Sequence, residues 1–128
     1  MRLLLDTATF LWLIIDSPQL SSRARELFSS PGNEVYLSAV STWEITVKHS
    51  LGRLALPESP QRFIPFQREK HGIQSLSLDE ESTLQLLRLP PLHNDPFDRM
   101  LVCQAIVEGL TILTPDSLVS QYPVRVIW

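Results

Sequence analysis

The sequence has a single cysteine, no surplus of basic residues and no apolar run long enough to cross a bilayer. Each shortage excludes a class of protein. The lone Cys103 rules out a disulfide framework and fits a reducing compartment. It lies in the apolar helical stretch MLVCQAIV, where a buried, inert thiol is the plain reading. Lys and Arg number 11 against 14 Asp and Glu, giving a net charge of −3, which is not the basic footprint of a typical nucleic-acid binder. A nucleic-acid role would therefore rest on local basic residues, on bound cations or on a basic partner. The apolar N-terminal run stops near Ile15, is interrupted by Asp6 and is followed by no A-x-A cleavage pattern. It reads as folded protein rather than a targeting or membrane segment, which places the chain in the cytoplasm. Repeats, low-complexity tracts and linkers are missing as well.

What remains is ordinary globular composition: 128 residues, 44% hydrophobic and 20% charged. That is one domain over residues 1–128, long enough to bury a core. RLLL reads as a buried strand ending abruptly at Asp6, with a strand-to-helix junction at Thr7 and a stop at Asp16-Ser17-Pro18. Residues 21–30 predict a helix ended by Pro31-Gly32, and residues 35–37 a second strand. Ser41 with Glu44 has capping-box spacing and predicts a helix from there to about Leu51. A helix over 61–70, a third strand over 73–76 and a helix over about 77–89, opened by Ser77 with Glu80, come next. Asp95-Pro96 is a helix start, with Asp as N-cap and Pro at the first position, and that helix runs to Gly109. LTILT and VRVIW are the fourth and fifth strands, with a short helical turn opened by Asp116 between them. Strands alternating with helices indicate a three-layer α/β/α sandwich around a mainly parallel five-stranded sheet.

The acids supply the functional signal. In open α/β sheets ligands bind beyond the carboxyl ends of the strands. Asp6 ends the first strand, Asp116 follows the fourth, and Glu44 and Asp98 fall near the starts of two helices that begin at the same edge. Glu44 lies within an apolar stripe of Val40, Trp43, Val47 and Leu51, and Asp98 shares a face with Leu101, Val102 and Ala105. Four inward carboxylates repel one another and call for a cation, and oxygen-only donors suit Mg2+ or Mn2+. Each acid also has a plainer reading. Glu44 could complete its capping box, Asp98 could favour the helix dipole, and Asp116 could cap a turn. Asp6, a carboxylate set in an apolar run, resists such a reading best.

LLLDTATFLW, LSAVSTWEITVK followed by GRL, LHNDPFDRMLVCQA and LTILTPD, in that order, resemble the PIN-domain nucleases, particularly the VapC-type toxins of toxin–antitoxin pairs. The resemblance spans nearly the whole chain, and DPFDRMLVCQA is its most specific segment. It implies Asp6, Glu44, Asp98 and Asp116 as the acidic quartet, a homodimer, and a cognate antitoxin covering the active groove. Many relatives of this branch carry His where Ala8 stands here. The activity implied is Mg2+- or Mn2+-dependent hydrolysis of RNA phosphodiesters by a metal-activated water, leaving 5′-phosphate and 3′-hydroxyl ends. Asp6 and Asp98 are the first choices as direct ligands. Glu44 and Asp116 complete the shell, hold a second cation or orient the water.

Around this quartet, Thr7 and Thr114 are candidates to hydrogen-bond the carboxylates, with local backbone as the competing partner. Arg99 is a candidate phosphate contact, against an i,i+4 pair with Asp95. Lys48 is placed to pair with Glu44. Asp95 reads as a helix cap, His93 as a solvated loop residue, and Phe10 and Trp12 as core and dimer surface. An aspartyl phosphatase would show D-x-D after the first strand, where this chain has Asp6-Thr7-Ala8. A receiver domain would need a late lysine, and none occurs after Lys70. A DNA-directed or RNA-processing nuclease, or a non-catalytic RNA- or protein-binding domain, remains as the alternative.

Overall fold

The computed structural model describes residues 1–128. Its five strands are β1 (Arg2–Leu5), β2 (Glu34–Ser38), β3 (Gln74–Leu76), β4 (Thr111–Leu113) and β5 (Val126–Ile127). They form one sheet in the order β3-β2-β1-β4-β5, and every neighbouring pair is parallel. The mainly parallel sheet expected from the sequence is parallel throughout. The helices are α1 (Thr7–Ile14), α2 (Ser22–Ser29), α3 (Ala39–Ser50), α4 (Pro60–Lys70), α5 (Glu80–Leu84) and α6 (Pro96–Glu108). Short 3-10 turns occupy Gln85–Arg88 and Val119–Gln121.

The central strand generates the layers. Successive side chains of a strand face opposite sides, so Leu3 and Leu5 enter one core and Leu4 the other. The first core joins them to Phe10 and Leu13 of α1, Ala24 of α2, Ile45 of α3 and Phe63 and Ile64 of α4. The second sets Leu4 and Ile112 against Leu101, Val102, Cys103 and Ala105 of α6, with Val119 and Tyr122 from the C-terminal segment. Cys103 is fully buried there, as its apolar setting predicts. Gln104, also fully buried, accepts from Ser38 Oγ and donates to the Ser77 carbonyl at 3.1 Å. These two bonds tie α6 to the ends of β2 and β3. Gly109 ends α6 in the left-handed conformation, φ 69°, which a residue without Cβ adopts freely.

Two helix starts differ from the capping-box expectation. Ser38, the last residue of β2, caps α3 by accepting Val40 N–H at 3.0 Å. The helix therefore begins before Ser41, and Glu44 lies too deep to reach back to the cap. Asp79, rather than Ser77, caps α5 by accepting Ser82 N–H at 2.8 Å. The α5 helix is short and tightens into the 3-10 turn where the sequence predicts one long helix. Asp95 does cap α6, taking the N–H groups of Phe97 (2.8 Å) and Asp98 (3.1 Å) on one oxygen.

Strand register sets the carboxyl edge of the sheet. Leu5 lies opposite Leu37 on one side and Leu113 on the other. Asp6, Ser38 and Thr114, the next residues along, are thus level at that edge. Leu4, like Leu3 and Leu5, is fully buried in this central strand. Leu4→Ala should cost about 2–5 kcal/mol by lost burial and the cavity left behind, measured as a lowered urea midpoint with an unchanged slope.

Candidate metal centre

A cleft of about 330 Å3 opens at the carboxyl edge of the sheet, lined by Asp6, Thr7, Ala8, Trp12, Glu44, Lys48, Asp95, Asp98, Thr114, Pro115 and Asp116. All four acids singled out in the sequence reach it, joined by Asp95, and Lys48 is the cation in the lining. They arrive on four separate segments: the β1–α1 junction, α3, the start of α6 and the turn after β4.

Asp6 has two duties. It is the N-cap of α1, with Oδ1 accepting Thr9 N–H at 2.8 Å, while Oδ2 accepts from Thr114 Oγ1 of the neighbouring strand end. The sequence offers no cap reading for Asp6, yet the residue both caps α1 and lines the cleft. Burial pushes its carboxyl above the ordinary value, and these hydrogen bonds only partly offset that. Glu44 is buried as its inward placement predicts, though the face of α3 differs from the expected stripe. The inward residues are Val40, Ser41, Glu44 and Ile45, whereas Trp43 is 57% and Leu51 59% exposed. The first half of the helix meets α1 through Ser41 and Glu44. Thr7 Oγ1 donates to Glu44 Oε1 at 2.6 Å and lies 3.0 Å from Ser41 Oγ. Glu44 Oε2 pairs with Lys48, which holds the Lys48 ammonium above its ordinary value. Trp43 instead packs edge-on against Phe97 of α6, ring centres 4.8 Å apart.

Asp116 accepts Leu118 N–H at Oδ1 (2.8 Å) and His93 Nε2–H at Oδ2 (2.8 Å). Burial acts to raise its carboxyl, but the His93 and backbone hydrogen bonds outweigh it and leave the value lowered. Asp98 is the exception. Its side chain lacks a hydrogen-bond donor, and His93 Nε2 stands 3.3 Å from Oδ2. Burial first, then the charges of Asp95 and Asp6, push it up to about 7. An acid shell with one member left without a donor is a donor set that fits a hard divalent cation.

The sequence predicts a solvated loop position for His93; the residue is instead enclosed, and its ring lies between Asp98 and Asp116. The spacing H-x-D at a helix start is the signal that could have placed it, since Asp95 N–H turns back to bond His93 Nδ1. Arg99 does not join the cleft and makes no ion pair with Asp95. Its Nη2 donates to the Leu89 carbonyl at 3.4 Å, and its buried Nε has no partner. Phe10 is fully buried core, and Trp12 packs against Trp128 at 5.9 Å at the rim of the cleft.

Comparisons with known proteins point one way. The PIN domain family model matches residues 3–124. Ribonuclease VapC16 of Mycobacterium tuberculosis is 33% identical over 70 residues, which is 52% of this chain and 50% of that protein. The match thus spans about half the length of that curated relative. Among solved structures, a chain of VapBC2 from Rickettsia felis, bound to a DNA fragment from their promoter, superposes with a TM-score of 0.75 at 16% identity. That alignment covers 99% of this chain and 98% of the other. A chain of VapBC-1 from nontypeable Haemophilus influenzae gives 0.67 at 16% identity, covering 99% and 97%. A chain of a toxin-antitoxin complex from Klebsiella pneumoniae gives 0.61 at 15%, covering 98% and 95%. These three likenesses are of fold.

The cleft has a pH signature. Asp98 keeps its proton to about 7 in the folded chain but to only 3.8 as an ordinary carboxyl. Between these values the folded state binds more protons than the unfolded one, so stability is greatest at the acid end and declines as pH rises towards 7. Asp6, also raised, acts in the same sense, while the lowered Asp116 acts only below its ordinary value. In EDTA, Asp98→Asn should therefore melt above the parent protein near pH 7.5 and lose that advantage near pH 4.5. Differential scanning calorimetry at the two pH values checks it; an equal gap at both would refute the assignment.

Proposed function

The chain belongs to the PIN domain family, and from that premise we propose that it is a divalent-metal-dependent endoribonuclease, the toxin of a toxin–antitoxin pair. The observation that carries this reading is the meeting of Asp6, Glu44, Asp98 and Asp116 in one cleft, with Asp98 short of any donor. The M. tuberculosis relative is a ribonuclease by name, which supports RNA as substrate, and the VapBC neighbours support an antitoxin partner.

Asp6 and Asp98 are assigned as the direct ligands of Mg2+ or Mn2+, with Glu44 and Asp116 completing the shell. When bound, the cation supplies a Lewis acid for the phosphate and lowers the pKa of water for in-line attack. The chain's own groups prepare that event. Thr114 Oγ1 and Thr9 N–H fix the Asp6 carboxylate and leave further lone pairs on each oxygen. Thr7 fixes Glu44 in the same way. Lys48, half-exposed beside Glu44, keeps one positive group in an acidic cleft and can meet a phosphate oxygen there. Ala8 at the rim offers no functional group, so the side chain that many relatives place there is not used.

The acidity of the cleft also suits its proposed partner. An antitoxin that inserts a basic side chain among these carboxylates would block the site and neutralise it together.

Purified protein should cut a pool of structured and single-stranded RNA with Mg2+ or Mn2+ and not with EDTA. The ends should be 5′-phosphate and 3′-hydroxyl, and matched DNA should be spared. Asp98→Asn should reduce the rate at least about 100-fold, because loss of a direct ligand exceeds the 10–100-fold typical of its supporting partners. Preference for DNA would overturn the substrate, and equal cutting by the variant would overturn the site.

A further inference from the structure

His93 uses both ring nitrogens and the backbone around it. Nδ1 accepts Asp95 N–H at 3.0 Å. A ring nitrogen that accepts carries a lone pair and no proton, so the ring proton sits on Nε2. From there it is donated to Asp116 Oδ2 at 2.8 Å, with Asp98 Oδ2 3.3 Å from the same nitrogen. The donor atoms of His93, Asp98 and Asp116 all lie within 4.8 Å of one another, a spacing that three ligands of one cation would also show. The hydrogen bonds argue against that equivalence. For Nε2 to ligate, its proton would have to move to Nδ1, where it would face Asp95 N–H across 3.0 Å, two donors with no acceptor between them.

We propose that His93 is a positioning residue of the acid cleft and not a ligand in it: its Nε2–H holds the Asp116 carboxylate in place, with the Asp98 carboxylate 3.3 Å from the same nitrogen. The brace is set from outside the cleft. Tyr122, buried in the second core, accepts two backbone N–H groups on its phenol oxygen, from Leu92 at 3.1 Å and His93 at 2.8 Å. The loop is hung on that oxygen. It then delivers the His93 ring to Asp116 and, three residues from the Asp95 cap, Asp98 on the first turn of α6. Tyr122 thereby controls the spacing of two acids that it does not touch. The two carboxylates would otherwise separate under their mutual repulsion. The importance of that spacing for a cation rests on the proposed metal site; the brace itself does not.

The first test needs no metal. Nitrogen NMR of metal-free, histidine-labelled protein reads the tautomer, with the His93→Gln spectrum assigning the signal. The expected result is an Nε2–H tautomer, with Tyr122→Phe converting it to a mixture. An Nδ1–H tautomer in the parent protein would overturn the proposal. The second test is Mn2+ binding, followed by calorimetry and pulsed EPR. No imidazole nitrogen should be coordinated, and His93→Ala should weaken binding about 10-fold or more. His93→Gln, whose amide N–H can still donate to Asp116, should recover most of that loss, and Tyr122→Phe should fall between. A coordinated nitrogen that disappears in His93→Ala, or equal affinity in all the variants, would overturn the brace. No Mn2+ binding by a parent protein with the Nε2–H tautomer would sink the metal reading and leave the brace standing.

Discussion

Like charges held together against their repulsion are the constraint around which this molecule is arranged. Asp6, Glu44, Asp95, Asp98 and Asp116 line one cleft with Lys48 as the cation among them. No local sequence preference would gather them. The parallel sheet does so, because its register makes the ends of β1, β2 and β4 level, and the helices that leave or approach that edge start beside it. Two hydrophobic cores, one on each side of the central β1 strand, hold the edge in place.

The repulsion is relieved unevenly, and the unevenness is informative. Asp6 takes a helix N–H and a threonine hydroxyl, Glu44 a threonine and a lysine, and Asp116 a backbone N–H and a histidine. Asp98 accepts no hydrogen bond and has only the His93 ring beside it, at 3.3 Å. Its free energy of ionisation is therefore the most open to change by whatever enters the cleft, cation or basic side chain. A single feature thus links the proton uptake of the cleft to the proposed metal and partner.

Several residues serve structure and site together. Asp6 caps α1, Asp95 caps α6, and Ser38 both ends β2 and starts α3. Such sharing is economical in a chain of 128 residues, and it ties Asp6 and Asp95 to their helix ends: moving either acid costs a cap. Tyr122 extends the same logic to the C-terminal segment, which supplies no acid yet fixes the loop that carries His93.

The sequence by itself determined the layers, the order of elements and the identity of the four acids. Apolar runs, turn residues and the Asp95-Pro96 start are local signals, and an acid inside RLLLDT is costly enough to stand out. Only the tertiary structure decided three further matters. The roll of α3, which turns Trp43 outward and Ser41 inward, is set by packing against other helices, with Thr7 of α1 bonded to Ser41. The cap of that helix fell to Ser38 because β2 ended there, although Ser41 and Glu44 had the right spacing. His93 joined the acids, and Arg99 left them, through contacts with Asp116, Tyr122 and Leu89. Periodicity reports which residues share a face, but the partner of that face lies elsewhere in the chain, and packing against it sets the final orientation.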